Sequence, residues 1–173
     1  ADHASHVHDS LASIALINTN LGRWDAARAA WIAFAPRAEA GRERAEAEFR
    51  AAEMPFKASN WAVALTSLQD YLRRTPTSAD TAQFRVRAQY DIALTHRSLG
   101  NDRNYRAALR EVVSVFRSSG QQPGSPAAAW AAEALFRDLD DQVNQFTQVQ
   151  FQRGDAAALR QQIDRFKEQL RAI

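Results

Sequence analysis

Between Phe56 and Pro76 the chain reads FKASNWAVALTSLQDYLRRTP. Trp61 follows a polar turn, Ala64 stands three places later, and Leu65, Leu68, Tyr71 and Leu72 recur at steps of three and four. That period places them on one face of an α-helix. Asn60 is a candidate N-cap. Pro76 ends the run because it has no N–H to donate and disfavours helical geometry at Thr75. The pattern recurs twice. Trp24, Trp61 and Tyr105 precede Ala27, Ala64 and Ala108 by three residues, and Trp31, Leu68 and Val112 follow four later. The spacing is 37 residues from Trp24 to Trp61 and 44 from Trp61 to Tyr105. The helices before them carry Ala15, Ala52 and Ala93. Small residues let two helices cross closely, and a unit that cannot bury its own apolar face must stack on its neighbours.

Around this pattern the remaining elements are expected to be helical. The first helix is placed at about 5–21, ending on Leu21-Gly22. The second starts at Trp24 and runs toward Pro36. The third spans about 42–57, with Pro55 expected to kink its last turn. The fifth covers about 81–99 and ends on Leu99-Gly100. The sixth runs from about Asn104 to Ser118, after a turn read as about three residues longer than the others. SSGQQPGSP at 118–126 is the strongest break. Beyond it, Phe136, Leu139, Val143, Phe146 and Gln150, then Leu159, Ile163, Phe166, Leu170 and Ile173, step by threes and fours about Arg153-Gly154-Asp155. Such steps predict an antiparallel helical hairpin.

The apolar share of 46% with 24% charged residues is that of an ordinary globular chain. The net charge of +2 does not demand a nucleic-acid partner. No cysteine is present, so disulfides, thiolate metal sites and thiol nucleophiles are excluded. No apolar run approaches the ~18 residues of a membrane span. No signal-peptide pattern opens the chain. The start at Ala1 and the end inside a helical pattern are expected of a trimmed fragment.

No HExxH, GxSxG, GxGxxG or P-loop occurs, and the chain is read as non-catalytic, with no cofactor. His3, His6 and His8 are of a type that holds transition metals, but a solvated first turn is the simpler reading, and no metal site is assigned. His96 is read as a structural, hydrogen-bonded histidine. Asp138, Asp140 and Asp141 are read as an exposed helix face. The arginines of 42–50 and 97–110 alternate with acids and are likewise read as solvated faces.

The aromatic–alanine–aromatic pattern with a late proline, over Leu11–Pro36, Arg44–Pro76 and, more loosely, Phe84–Gly120, resembles the tetratricopeptide repeat family. The long, alanine-rich repeats are most similar to such proteins of Gram-negative cell envelopes, including those of gliding-motility complexes, which implies a periplasmic or envelope location. The resemblance implies an all-α, right-handed α-solenoid. Three helical pairs (about 5–36, 42–76 and 81–118) would fill residues 1–120, and the hairpin at 126–173 would pack as a fourth pair or cap. It further implies a scaffold holding a protein or peptide segment in the groove lined by the first helix of each pair. The groove residues would be Asn20, Phe49, Glu53, Lys57, Tyr90 and Arg97, with Leu16 and Leu94 beside them. For Phe49, Tyr90 and Leu94, packing between repeats is an equal alternative. Two further readings stay open: self-association through the C-terminal hairpin, making a homo-oligomer, and a regulatory nucleic-acid-binding solenoid.

Overall fold

The computed structural model describes residues 3–147 and, further on, 160, 161, 163 and 164. The described chain is all-helical: α1 (His3–Asn20), α2 (Trp24–Phe34), α3 (Arg42–Lys57), α4 (Trp61–Arg74), α5 (Ala82–Ser98), α6 (Asp102–Ser118) and α7 (Pro126–Thr147). A 3₁₀ turn at Ala35–Arg37 extends α2, with Pro36 near its start, where a missing N–H costs least. The chain divides into two units, Ala1–Asp138 and Leu139–Ile173, and the boundary falls within α7 rather than at the 118–126 break. In the second unit, residues 160, 161, 163 and 164 are helical. The expected turn at 153–155, the rest of the last helix and the side chain of Phe146 lie outside the described residues.

Within the first unit each helix from α1 to α5 packs on the next, and α3 also packs on α5. Three of the joints are built alike. Gly22, Ser59 and Gly100 adopt left-handed φ of 69°, 57° and 71°. The following N–H of Arg23, Asn60 and Asn101 then donates back to the carbonyl of Asn18, Pro55 and His96 at 2.9 Å in each case. This is the closing bond of a Schellman turn, which satisfies a carbonyl left over at the helix end. Each joint releases the chain into the next helix at the same offset, at Trp24, Trp61 and Asp102.

That common offset corrects the register read from aromatic spacing. The turns are 37 residues apart from Gly22 to Ser59 and 41 from Ser59 to Gly100. The third joint is no longer than the others. Asn101 accepts a bond from the Asn104 N–H and starts α6 at Asp102. Tyr105 therefore occupies the position of Ala27 and Ala64, and Leu109 that of Trp31 and Leu68.

Two cores result. The first joins α1, α2 and α3 around Ala15, Ala27, Trp31, Phe34, Ala47 and Met54. Trp31 Nε1 donates to Thr19 Oγ1 at 3.1 Å, which ties α2 to α1. The second runs from α3 to the start of α7 around Phe49, Leu68, Tyr71, Phe84, Ile92 and Leu109. Ala52, Ala93, Ala108 and Val112 are buried there, and Trp61 is half-buried with its ring 5.7 Å from Phe56. Trp24 is half-buried against the first core. Helix α3 contributes to both cores from opposite faces. It runs on through Pro55 to Lys57.

Two substitutions test this packing. Ala64 is fully buried, so Ala64→Trp overpacks the α4 crossing, and a loss of about 3 kcal/mol or more in urea unfolding is expected. Ser59 is the only described residue besides glycine with positive φ. Ser59→Gly relieves that conformation, and a gain of about 0.5–1 kcal/mol is expected by the same measurement.

Candidate functional site

The residues assigned to a groove separate in the structure. Phe49 is 3% exposed and lies between Tyr71 and Phe84, with ring centroids 5.8 and 5.7 Å away. Tyr90 is buried in the same core. Both act in packing rather than on an open face. Asn20, Lys57 and Arg97 are exposed, each in the last turn of its helix on α1, α3 and α5. Leu16 is exposed on α1 and Leu94 packs against the second core.

Glu53 and Lys57 belong to a charge cluster that joins α3 to α5. Glu53, 2% exposed, lies 3.4 Å from Arg50 Nη1, 3.5 Å from Lys57 Nζ and 3.7 Å from Arg87 Nη2. Arg87 Nε stands 3.1 Å from Oδ1 of the fully buried Asp91. The Arg87 guanidinium also lies over two rings, at 5.9 Å from Tyr90 and 5.3 Å from Trp130. Two carboxylates thus share three cations, as buried acids must if they are to stay charged. Asp91 is the weak point. Burial pushes its carboxyl up to about 7, against the pull of Arg87, with Glu53 adding to the rise and Lys57 opposing it.

A second cluster surrounds Tyr90 on the other side. Arg137 Nε donates to Glu133 Oε1 at 2.6 Å, with the Tyr105 and Tyr90 hydroxyls beside it. Burial works against the Arg137 charge, and these partners outweigh it. Burial raises the Tyr90 hydroxyl. Arg97 lies over the Tyr105 ring at 5.6 Å. Asp138, read as part of an exposed acidic face, is instead buried and sits 3.1 Å from Arg110 Nε.

Reading by motif missed Arg50, Arg87, Asp91, Trp130 and Arg137. One signal was present: Arg87 and Asp91, four apart, flank Ala88 on the apolar stripe of α5. A charged pair set among core positions is more informative than one on a polar face.

The histidines resolve differently. His8 Nε2 lies 3.3 Å from Glu43 Oε2 and Nδ1 3.1 Å from Asp9 Oδ1. Its hydrogen bonds to Asp9 and then Glu43 raise its pKa, favouring the protonated ring, and the contact with Glu43 ties α1 to α3. His6 is exposed, and the side chain of His3 lies outside the described residues. Among the described residues no three metal-ligating side chains converge. His96 is half-buried, its pKa is lowered by burial, and its buried Nδ1 has no hydrogen-bond partner among the described residues. It is not the hydrogen-bonded histidine read from the sequence. No described helix is long and apolar enough to cross a membrane.

No known family model matches the chain. No match was found among curated proteins either.

The Asp91 environment fixes a sign. Between its ordinary 3.8 and about 7 the folded state holds a proton that the unfolded state has lost. The contribution of this group to stability therefore falls as pH rises through that window. Asp91→Asn removes the titration. From pH 5 to pH 8 the wild type is expected to lose roughly 2 kcal/mol relative to the variant in urea unfolding. Parallel pH profiles of the two proteins would contradict this account.

Proposed function

We propose that this chain is a non-catalytic protein-interaction scaffold of the tetratricopeptide-repeat type, whose odd-numbered helices bind a partner segment. The observation that carries the reading is the packing of α3 on α5 in addition to the packing between consecutive helices. Helices that neighbour each other in this alternating way present a shared face. The last turn of α3 exposes Lys57 beside Glu53, and the last turn of α5 exposes Arg97, which lies over Tyr105 of α6. Arg50 and Arg87 remain partly exposed over the buried Glu53 and Asp91. The acids lie underneath and the cations above them, so a segment carrying carboxylates fits best. Arginine supported by aromatic rings is also the side-chain mix that dominates binding energy at interfaces. The three matching Schellman turns support the repeat reading independently.

A photo-crosslinking residue placed at 57 or at 97 tests the reading, with position 103 on the exposed side of α6 as control. Adducts to a partner protein are expected from 57 and 97 and not from 103. Equal yields at all three positions, or none, would overturn it. Adducts of twice the chain mass would put self-association in its place. The exposed Leu135 and Phe136 of α7 are the surface to examine in that case.

A further inference from the structure

Helix α1 leaves an apolar face open. Ile14, Ile17 and Leu21 follow one another at helical steps and are 47%, 56% and 59% exposed. No charged residue stands between Ser10 and Gly22. The matching joints at Gly22, Ser59 and Gly100 give this face a role. Counted from them, Ile14 and Ile17 occupy the positions of Ala51 and Met54 in α3 and of Ile92 and Thr95 in α5. All four of those residues are buried. Ala51 and Met54 belong to the core shared with α1 and α2, so they meet the preceding helical pair. Ile92 lines a depression with Leu72 of the preceding α4. The same positions on α1 are therefore a stacking face, and among the described residues nothing is stacked on it.

Helix α2 continues the face. In the third pair, Asn104, Ala107 and Glu111 of α6 line the same depression as Ile92. Their counterparts beside Ile14 are Ala26, Ala29 and Ala33 of α2. Ala26 and Ala29 are exposed and Ala33 is half-buried. The position of Ala33 holds Asp70 in α4 and Glu111 in α6, so only the first pair lacks a carboxylate there. Residues that stay in water are mostly polar or charged, and a contiguous apolar surface across two helices marks a place where another surface docks.

Two observations select the occupant. The other end of the stack is already covered. Ala127 and Ala134 of α7 are buried in the second core, Trp130 packs against it, and Asp138 pairs with Arg110 of α6. A second copy therefore cannot stack head to tail, because the surface that would receive α1 is occupied by α7. The open face also carries no charge of its own, so an identical face can meet it without burying an unpaired ion. Contact between identical faces about a two-fold axis closes at the dimer. We propose that Ile14, Ile17, Leu21 and the alanines of α2 form the interface of a two-fold homodimer, in which α1 of each copy lies antiparallel on α1 of the other. The interface is distinct from the exposed side chains of α7 and from the α3–α5 face, and it rests on the repeat register rather than on any bound partner. One helical pair from each copy makes a small interface, so a dissociation constant of about 10–100 µM is expected.

Sedimentation equilibrium of the full chain between about 5 µM and about 500 µM tests this. The average mass is expected to rise from one chain toward two. Ile17→Glu and, separately, Ala29→Glu place a carboxylate on the face of each copy and are expected to weaken association at least about tenfold. Both positions are exposed, so the circular dichroism spectrum and the urea midpoint of each variant, measured at the dilute end, should match the wild type. Phe136→Glu, on the exposed side of α7, should leave association unchanged. A mass of one chain throughout the range, growth beyond two chains, or association that both Ile17→Glu and Ala29→Glu leave intact would each overturn the proposal. Association lost in Phe136→Glu but kept in Ile17→Glu would overturn it in favour of α7.

Discussion

Helix α3 is buried from both sides, and the first unit depends on that. Ala47, Ala51 and Met54 face α1 and α2, while Ala45, Phe49 and Ala52 face α4 and α5. An element packed between two others needs two apolar faces, and in α3 they are separated by charged residues such as Arg44, Glu48 and Arg50. Here Glu53 sits among the buried positions, and its charge has to be met locally. Arg50 and Lys57 meet it from α3 itself, and Arg87 meets it from α5. The price of one buried carboxylate is thus an ion cluster that also fixes how α5 lies against α3. Apolar packing alone is tolerant of sliding, whereas a shared guanidinium between two carboxylates is not.

Much of the helical framework was legible from residues alone. The period of three and four over 61–74, the stop at Pro76 and the glycines at 22 and 100 predict element types and most ends, because caps and breakers act locally. The third repeat shows where local reading fails. Tyr105 resembles Trp24 and Trp61 as a residue, so aromatic spacing aligns them. The turn geometry instead aligns Tyr105 with Ala27 and Ala64, since Asn101 caps α6 one turn earlier. Ser59 hid the equivalence further. It occupies a left-handed position usually signalled by glycine.

The candidate site was less legible, also for physical reasons. Phe49 and Tyr90 were placed on an inner face by helical phase, but phase does not say which neighbour covers a residue. The exposed members, Asn20, Lys57 and Arg97, share only a position near a helix end, a property of the joints rather than of any motif. Arg87 and Asp91 went unread because the spacing of an i,i+4 ion pair is the same whether it is solvated or buried. Only burial of the intervening turn separates the two cases, and it depends on α3 and α7 arriving from elsewhere in the chain.

The two cores share a helix but not one side chain. Cooperativity between them therefore passes through the backbone of α3 and through the pairs that reach it from outside. The core of α1 and α2 is rich in alanine and holds only Trp31 and Phe34 as buried aromatics. It has less apolar area per residue with which to resist opening than the core from α3 onward. The first two helices thus form the cheaper opening unit, able to separate while α3 keeps its other face covered. Amide exchange would register that as a lower protection plateau over 3–34 than over 45–112.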